Sequence, residues 1–110
     1  MLERRTHERV PLAVPILCEP AHTTPFGGTA MDISPGGAGI VGSQVPPLGA
    51  ALTVNVRLPG SPDVSRLRAV VHWARFKRFG VRFDLVGDRD ARTLEELTTP
   101  NLDLPRTGAR

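Results

Sequence analysis

The sequence predicts a mostly β protein, a six-stranded antiparallel β-barrel with a short C-terminal α-helix. Three observations carry that expectation. Apolar residues recur at every second position in one segment after another. Eleven glycines and eleven prolines, spread over 110 residues, cut the chain into short strands joined by turns. After Asp88 the apolar spacing changes from two to three, the helical spacing. A chain of this length buries one modest core. Six strands with short links favour a closed or nearly closed antiparallel barrel.

Residues 1–9 are charged and have no apolar period, so they read as an arm ahead of the barrel, which spans 10–99 with its helix. In the first strand Val10, Leu12, Val14, Ile16 and Cys18 alternate with Pro11, Ala13, Pro15, Leu17 and Glu19. Pro11 and Pro15 have no N–H for a ladder, which predicts an edge position or a bulge. A loop is expected over 20–28, then a short strand marked by Thr29, Met31 and Ile33. Ser34-Pro35-Gly36-Gly37 is a turn, and Ala38 to Val41 a third strand.

A Pro-rich connection over 43–49 leads to a fourth strand. There Leu52, Val54, Val56 and Leu58 alternate with Thr53, Asn55 and Arg57. After the turn Pro59-Gly60-Ser61-Pro62, a fifth strand sets Leu67, Ala69, Val71 and Trp73 on one face and Arg66, Arg68 and His72 on the other. A tight connection at 76–78 gives the sixth, with Val81, Phe83 and Leu85 inward. Asp88 is placed to cap a helix starting at Arg89, whose Ala91, Leu94 and Leu97 face the barrel. Pro100 limits the helix, and 100–110 is a tail.

Composition narrows the functional classes. Hydrophobic residues make up 40% and charged residues 23%, as in ordinary globular domains. The single cysteine, Cys18, excludes an intrachain disulfide and reads as a small core residue. The N-terminus shows no apolar signal segment, and no apolar run reaches membrane-spanning length. The expectation is a cytoplasmic domain without membrane insertion, a monomer or homodimer. Lys77 is the one lysine beside thirteen arginines, and arginine forks suit phosphates and guanine edges. The formal charge of +3 fits a small anion better than a nucleic acid polymer. His7, His22, His72 and Cys18 have no metal-ligand spacing. Gly36-Gly37-Ala38-Gly39 lacks the Lys-Ser or Lys-Thr of a phosphate-binding P-loop. No catalytic constellation is legible, so no enzyme is expected.

Two motifs remain. Arg5-Thr6-His7-Glu8-Arg9 has the form RxxxR and follows another arginine, Arg4. RxxxR recurs at Arg78 and Arg82 and again at Arg106 and Arg110, so alone it discriminates little. Asp32-Ile33-Ser34-Pro35-Gly36-Gly37 has the form DxSxxG and occurs once. Their order, with a strand between them, resembles the PilZ domain family. Val70-Val71-His72-Trp73-Ala74-Arg75 and Phe79-Gly80-Val81-Arg82-Phe83 are similar to its late strands, and the segment after Asp88 to its helix. The resemblance covers about 3–99.

It implies a PilZ-type barrel acting as a stand-alone second-messenger receptor, with cyclic di-GMP as the ligand, no cofactor, and a downstream protein as the output. It implies ligand contacts from Arg5, Arg9, Asp32, Ser34 and Gly37. Arg4 before RxxxR implies two stacked ligand molecules. The chemistry agrees. An arginine fork matches guanine O6 and N7 or a phosphate. A carboxylate such as Asp32 accepts from guanine N1–H and N2–H, and the Ser34 hydroxyl donates to a phosphate or base. A glycine at 37 lets backbone approach closely. Ligand binding is expected to order the arginine arm against the barrel. Trp73 has two open readings, core residue or edge of a guanine pocket. Two other functions stand beside the receptor: a docking module that binds no nucleotide, and a basic barrel for single-stranded nucleic acid. The second wants more exposed aromatics than one Trp and four Phe supply.

Overall fold

The computed structural model describes residues 10–98. The expected arm over 1–9, with Arg4, Arg5 and Arg9, and the tail over 100–110 lie outside them. The elements are β1 (Val10–Pro20), β2 (Phe26–Ser34), β3 (Gly37–Gly42), β4 (Ala51–Arg57), β5 (Val64–Arg75), β6 (Arg78–Leu85) and α1 (Asp88–Thr98). All strand pairs are antiparallel, and the order β1-β2-β3-β6-β5-β4 closes on itself. Closure leaves no edge strand.

The alternation seen in the sequence builds the interior. Ile16, Cys18, Ala30, Ile33, Ala38, Ile40, Leu52, Val54, Val56, Leu67, Ala69, Val71, Phe79, Val81 and Phe83 point inward and are buried. Phe26 and Phe79 meet edge to face at 6.2 Å inside one end of the barrel. At the other end Leu94 of α1, fully buried, completes the core. Ser65 Oγ donates to Asp90 Oδ1 at 2.7 Å and ties the helix to β5. Burial of Cys18 pushes its thiol pKa up to about 11.

Several expectations are corrected by the register. The prolines of β1 do produce a bulge, between Pro11 and Val14, yet β1 is paired on both sides, with β2 and from Ile16 also with β4. Gly27 and Gly28 belong to β2 rather than to a loop. A Cβ at Gly28 would meet the Val41 carbonyl oxygen at 2.9 Å, so close strand packing selects glycine there. A second bulge between Ala30 and Asp32 turns Met31 outward. The Ala91 N–H donates to the Gly87 carbonyl at 2.8 Å, which makes Gly87 the residue before the first helical turn and puts Asp88 inside it.

The largest correction concerns Trp73. Simple alternation along β5 puts it with Leu67, Ala69 and Val71 in the core. The register instead passes from Val71↔Val81 to Trp73↔Gly80, two steps on β5 against one on β6. His72 is the extra residue, and the bulge reverses the alternation beyond it. Trp73 therefore stands on the outside of the barrel, half-buried, across from Gly80.

Candidate functional site

The bulges at Met31 and His72 have a joint consequence on the outer face. Asp32 of β2 pairs with Gly39 of β3, Gly39 with Gly80 of β6, and Gly80 with Trp73 of β5. One row therefore crosses four strands. Its two middle positions are glycines, both buried although they face outward. Their burial comes from what lies over them. A Cβ on Gly39 would meet Asp32 Oδ2 at 2.8 Å and Oδ1 at 3.2 Å. A Cβ on Gly80 would overlap the Trp73 indole nitrogen and would meet its Cδ1 at 2.7 Å. The row is a backbone floor with a carboxylate lying over one glycine and an indole over the other.

Each wall is held in place. The Gly39 N–H donates to Asp32 Oδ1 at 3.1 Å, which fixes the carboxylate against the sheet. The Arg75 guanidinium lies over the Trp73 ring, 5.6 Å from its centroid. Among the described residues this puts a cation, a π-face and a carboxylate on one surface.

Ser34 and Gly37 sit one row away, where β2 turns into β3. Ser34 is only 4% exposed. Its Oγ accepts from the Gly36 N–H at 3.2 Å and reaches the Gly37 carbonyl at 3.5 Å, so the hydroxyl is engaged in holding the turn. Gly37 is buried too, and a Cβ there would overlap the Val81 carbonyl of β6. The Gly36 carbonyl accepts from the Phe83 N–H at 2.8 Å, which locks the turn onto β6. Gly37 pairs with Arg82, and Arg82 with Val70. The exposed Arg82 thus lies beside the DxSxxG turn and rims a depression of about 390 Å³ with His72, Val70 and Asp84.

Asp32, Trp73, Ser34 and Gly37 are thus brought onto two adjacent rows. Arg4, Arg5 and Arg9 lie outside the described residues. The chain nevertheless enters β1 beside this site, because Val10 pairs with Ile33 and Pro11 with Asp32. Sequence reasoning missed Gly39, Gly80 and Arg82 as site residues. The signal available for the glycines was their position inside apolar strands, where glycine weakens a strand unless something approaches closely. A larger depression, about 510 Å³, opens at the end of the barrel where β1 finishes and β2 begins, lined by Pro20, His22, Phe26, Val45, Pro46 and Ala50 among others. It has no arginine and no carboxylate in its lining, which suits an anionic nucleotide poorly.

The PilZ domain model matches residues 3–99, and the chain belongs to the PilZ domain family, a family of cyclic di-GMP receptors. Among solved structures it is similar to the Bacillus subtilis inhibitor of motility MotI/DgrA, with TM-score 0.71 and 18% identity. That match covers 86% of this chain and 49% of the other, so the chain spans about half the length of that protein. It is similar to the PilZ domain of CeSA from a cellulose-synthesizing bacterium, with TM-score 0.66 and 18% identity over 83% of this chain and 94% of that one. It is also similar to the PilZ domain of YcgR from Escherichia coli, solved with c-di-GMP, with TM-score 0.70 and 18% identity over 87% and 89% of the two chains. At these identities the likeness establishes the fold. Among curated protein sequences none matches the chain.

Proposed function

We propose that the chain is a cytoplasmic, non-enzymatic receptor that binds cyclic di-GMP on the outer row Asp32–Gly39–Gly80–Trp73 and relays binding to a downstream protein. The observation that carries the reading is a carboxylate and an indole lying on one outer row, each seated on a glycine. A flat guanine needs a π-face to stack on and an acceptor for its N1–H and N2–H donors. Trp73 provides the first and Asp32 the second, and Gly80 and Gly39 beneath them let both side chains lie against the sheet. The phosphates call for arginine forks. Arg5 and Arg9 of RxxxR supply them in this reading, joined by Arg82. Arg9 is bonded directly to Val10, whose partner is Ile33, so the length of chain needed to reach Asp32 is short. Arg4 is assigned to a second, stacked ligand molecule. Ser34 and Gly37 act by shaping the turn that positions Asp32 and Arg82, since the Ser34 hydroxyl is already engaged.

Trp73 is the one tryptophan of the chain, so its emission reports the site directly. Titration with cyclic di-GMP is expected to change that emission saturably in the parent protein, and Asp32→Ala to weaken binding about tenfold or more, the cost of one charge-assisted hydrogen bond. An emission spectrum indifferent to saturating ligand would remove Trp73 from the site.

A further inference from the structure

On its β5 side the β5–β6 hairpin runs past β4. Ala51↔Val70 is the last pair between β4 and β5, so residues 71–75 continue beyond β4. The hairpin closes through Phe76 and Lys77 between the paired residues Arg75 and Arg78. Phe76 is 84% exposed, more than any other large hydrophobic residue described. A ring this exposed adds little burial to the barrel core, of which it is not a part.

The tip is shaped rather than slack. Lys77 takes a φ of 62°, a conformation that a lysine adopts at a cost. Its carbonyl accepts from the Gly42 N–H at 3.2 Å, which braces the turn against the end of β3. Its ammonium lies 5.3 Å from the Phe76 ring centroid. The ring is thereby presented beside Lys77, with the paired residues Arg75 and Arg78 at the base of the turn, all exposed.

Among the described residues the connections that meet at this end of the barrel, 21–25, 43–50 and 76–77, contain no Asp or Glu. Glu19, just before the first of them, is paired with Arg66 at 3.1 Å, and Asp84 lies beside the 43–50 connection. The acidic residues Asp63, Asp88, Asp90, Glu95 and Glu96 lie toward the opposite end, in or next to the β4–β5 connection and α1. A central aromatic anchor beside cations matches the anatomy of a protein interface with a hot spot and a charged rim. A bilayer would want more apolar surface than Phe76 and Leu48, the exposed large hydrophobics at this end; Leu17, Met31 and Val64 lie on other parts of the barrel.

We propose that the hairpin tip is a docking anchor: Phe76 enters an apolar pocket of a partner protein whose rim is acidic, and Lys77 and Arg78 pair with that rim. This gives a place to the relay step of the proposed function and rests on that reading only for what docking accomplishes. The test therefore omits nucleotide, so that failure of docking and failure of cyclic di-GMP binding are separate results. A random peptide library displayed on phage is selected against the immobilised full chain, and the enriched peptides are synthesised. Peptides that combine a bulky apolar residue with several Asp or Glu are expected. They should bind Phe76→Ser and the charge reversal Lys77→Glu/Arg78→Glu about tenfold or more weakly than the parent. Both variants alter exposed side chains only, and an unchanged circular dichroism spectrum verifies their fold. No enrichment, enriched peptides without acidic residues, or equal binding by Phe76→Ser would overturn the proposal. Sedimentation of the parent, but not Phe76→Ser, with phosphatidylserine–phosphatidylcholine vesicles would overturn it in favour of a membrane surface.

Discussion

Gly80→Ala isolates the floor of the site from the fold that carries it. The added methyl points away from the core, since Phe79 and Val81 on either side point into it. It would meet Trp73 Cδ1 at 2.7 Å and overlap the indole nitrogen, well inside any tolerable contact, so the ring has to leave. The backbone pairs Trp73↔Gly80 and Gly39↔Gly80 can remain. The loss is the packing of a half-buried indole and the Arg75–Trp73 contact at 5.6 Å. Full burial of a large apolar side chain is worth about 1.5–3 kcal/mol and an exposed cation–π contact about 0.5–1 kcal/mol. Half of the first plus the second gives a destabilisation of about 1.3–2.5 kcal/mol, a melting temperature lower by about 5–15 °C for a domain of this size. The assay pairs thermal unfolding with Trp73 emission and cyclic di-GMP titration. The variant should stay folded, its emission should shift to the red as the indole enters water, and affinity should fall about tenfold or more. Parent-like emission together with parent-like affinity would refute the reasoning, because the indole would then not lie on the glycine.

Gly39→Ala tests the other wall. A Cβ 2.8 Å from Asp32 Oδ2 displaces the carboxylate from the Gly39 N–H. A loss of about 1 kcal/mol in stability by denaturant unfolding and an affinity loss similar to that of Asp32→Ala are expected. Lys77→Gly relieves the positive φ at the hairpin turn and should raise stability by about 0.5–1 kcal/mol in the same assay. Cys18, with its pKa raised to about 11 by burial, stays a thiol through neutral and mildly alkaline pH. Its labelling by a thiol reagent should track unfolding alone. The folded pKa lies above the ordinary thiol value of 9.0, so the contribution of Cys18 to stability is intact below about pH 9 and is lost as pH rises toward 11. Denaturant midpoints measured across that window check the sign.

Strands were legible wherever the two-residue period ran unbroken, as from Leu52 to Leu58 or Leu67 to Val71. Bulges defeat that reading. One extra residue, Met31 or His72, moves every later side chain to the other face, and nothing in the local pattern announces it. That is why the alternation sets Trp73 on the same face as Leu67 and Val71, while in the structure it stands outside, and the core reading of its two open roles falls. Glycine has a second ambiguity. Gly27-Gly28 looks like a turn, yet in β2 the absent side chain admits the neighbouring strand. Asp32, Ser34 and Gly37 could be picked out because they form a local motif at a turn. Gly39, Gly80 and Arg82 could not, since their relation to Asp32 and Gly37 is a matter of cross-strand register set by the closed barrel. The cap of α1 illustrates a smaller limit. Gly87 has no side chain to advertise it, while Asp88 beside it has the right chemistry one position too late.

Calorimetric titration of the full chain with cyclic di-GMP, beside the Arg5→Ala/Arg9→Ala double variant, tests the receptor reading most directly. Saturable binding by the parent, lost in the double variant and with two ligands per chain if Arg4 has its assigned role, is the expected result. A parent protein that takes up no heat, or a double variant that binds as well as the parent, would contradict it.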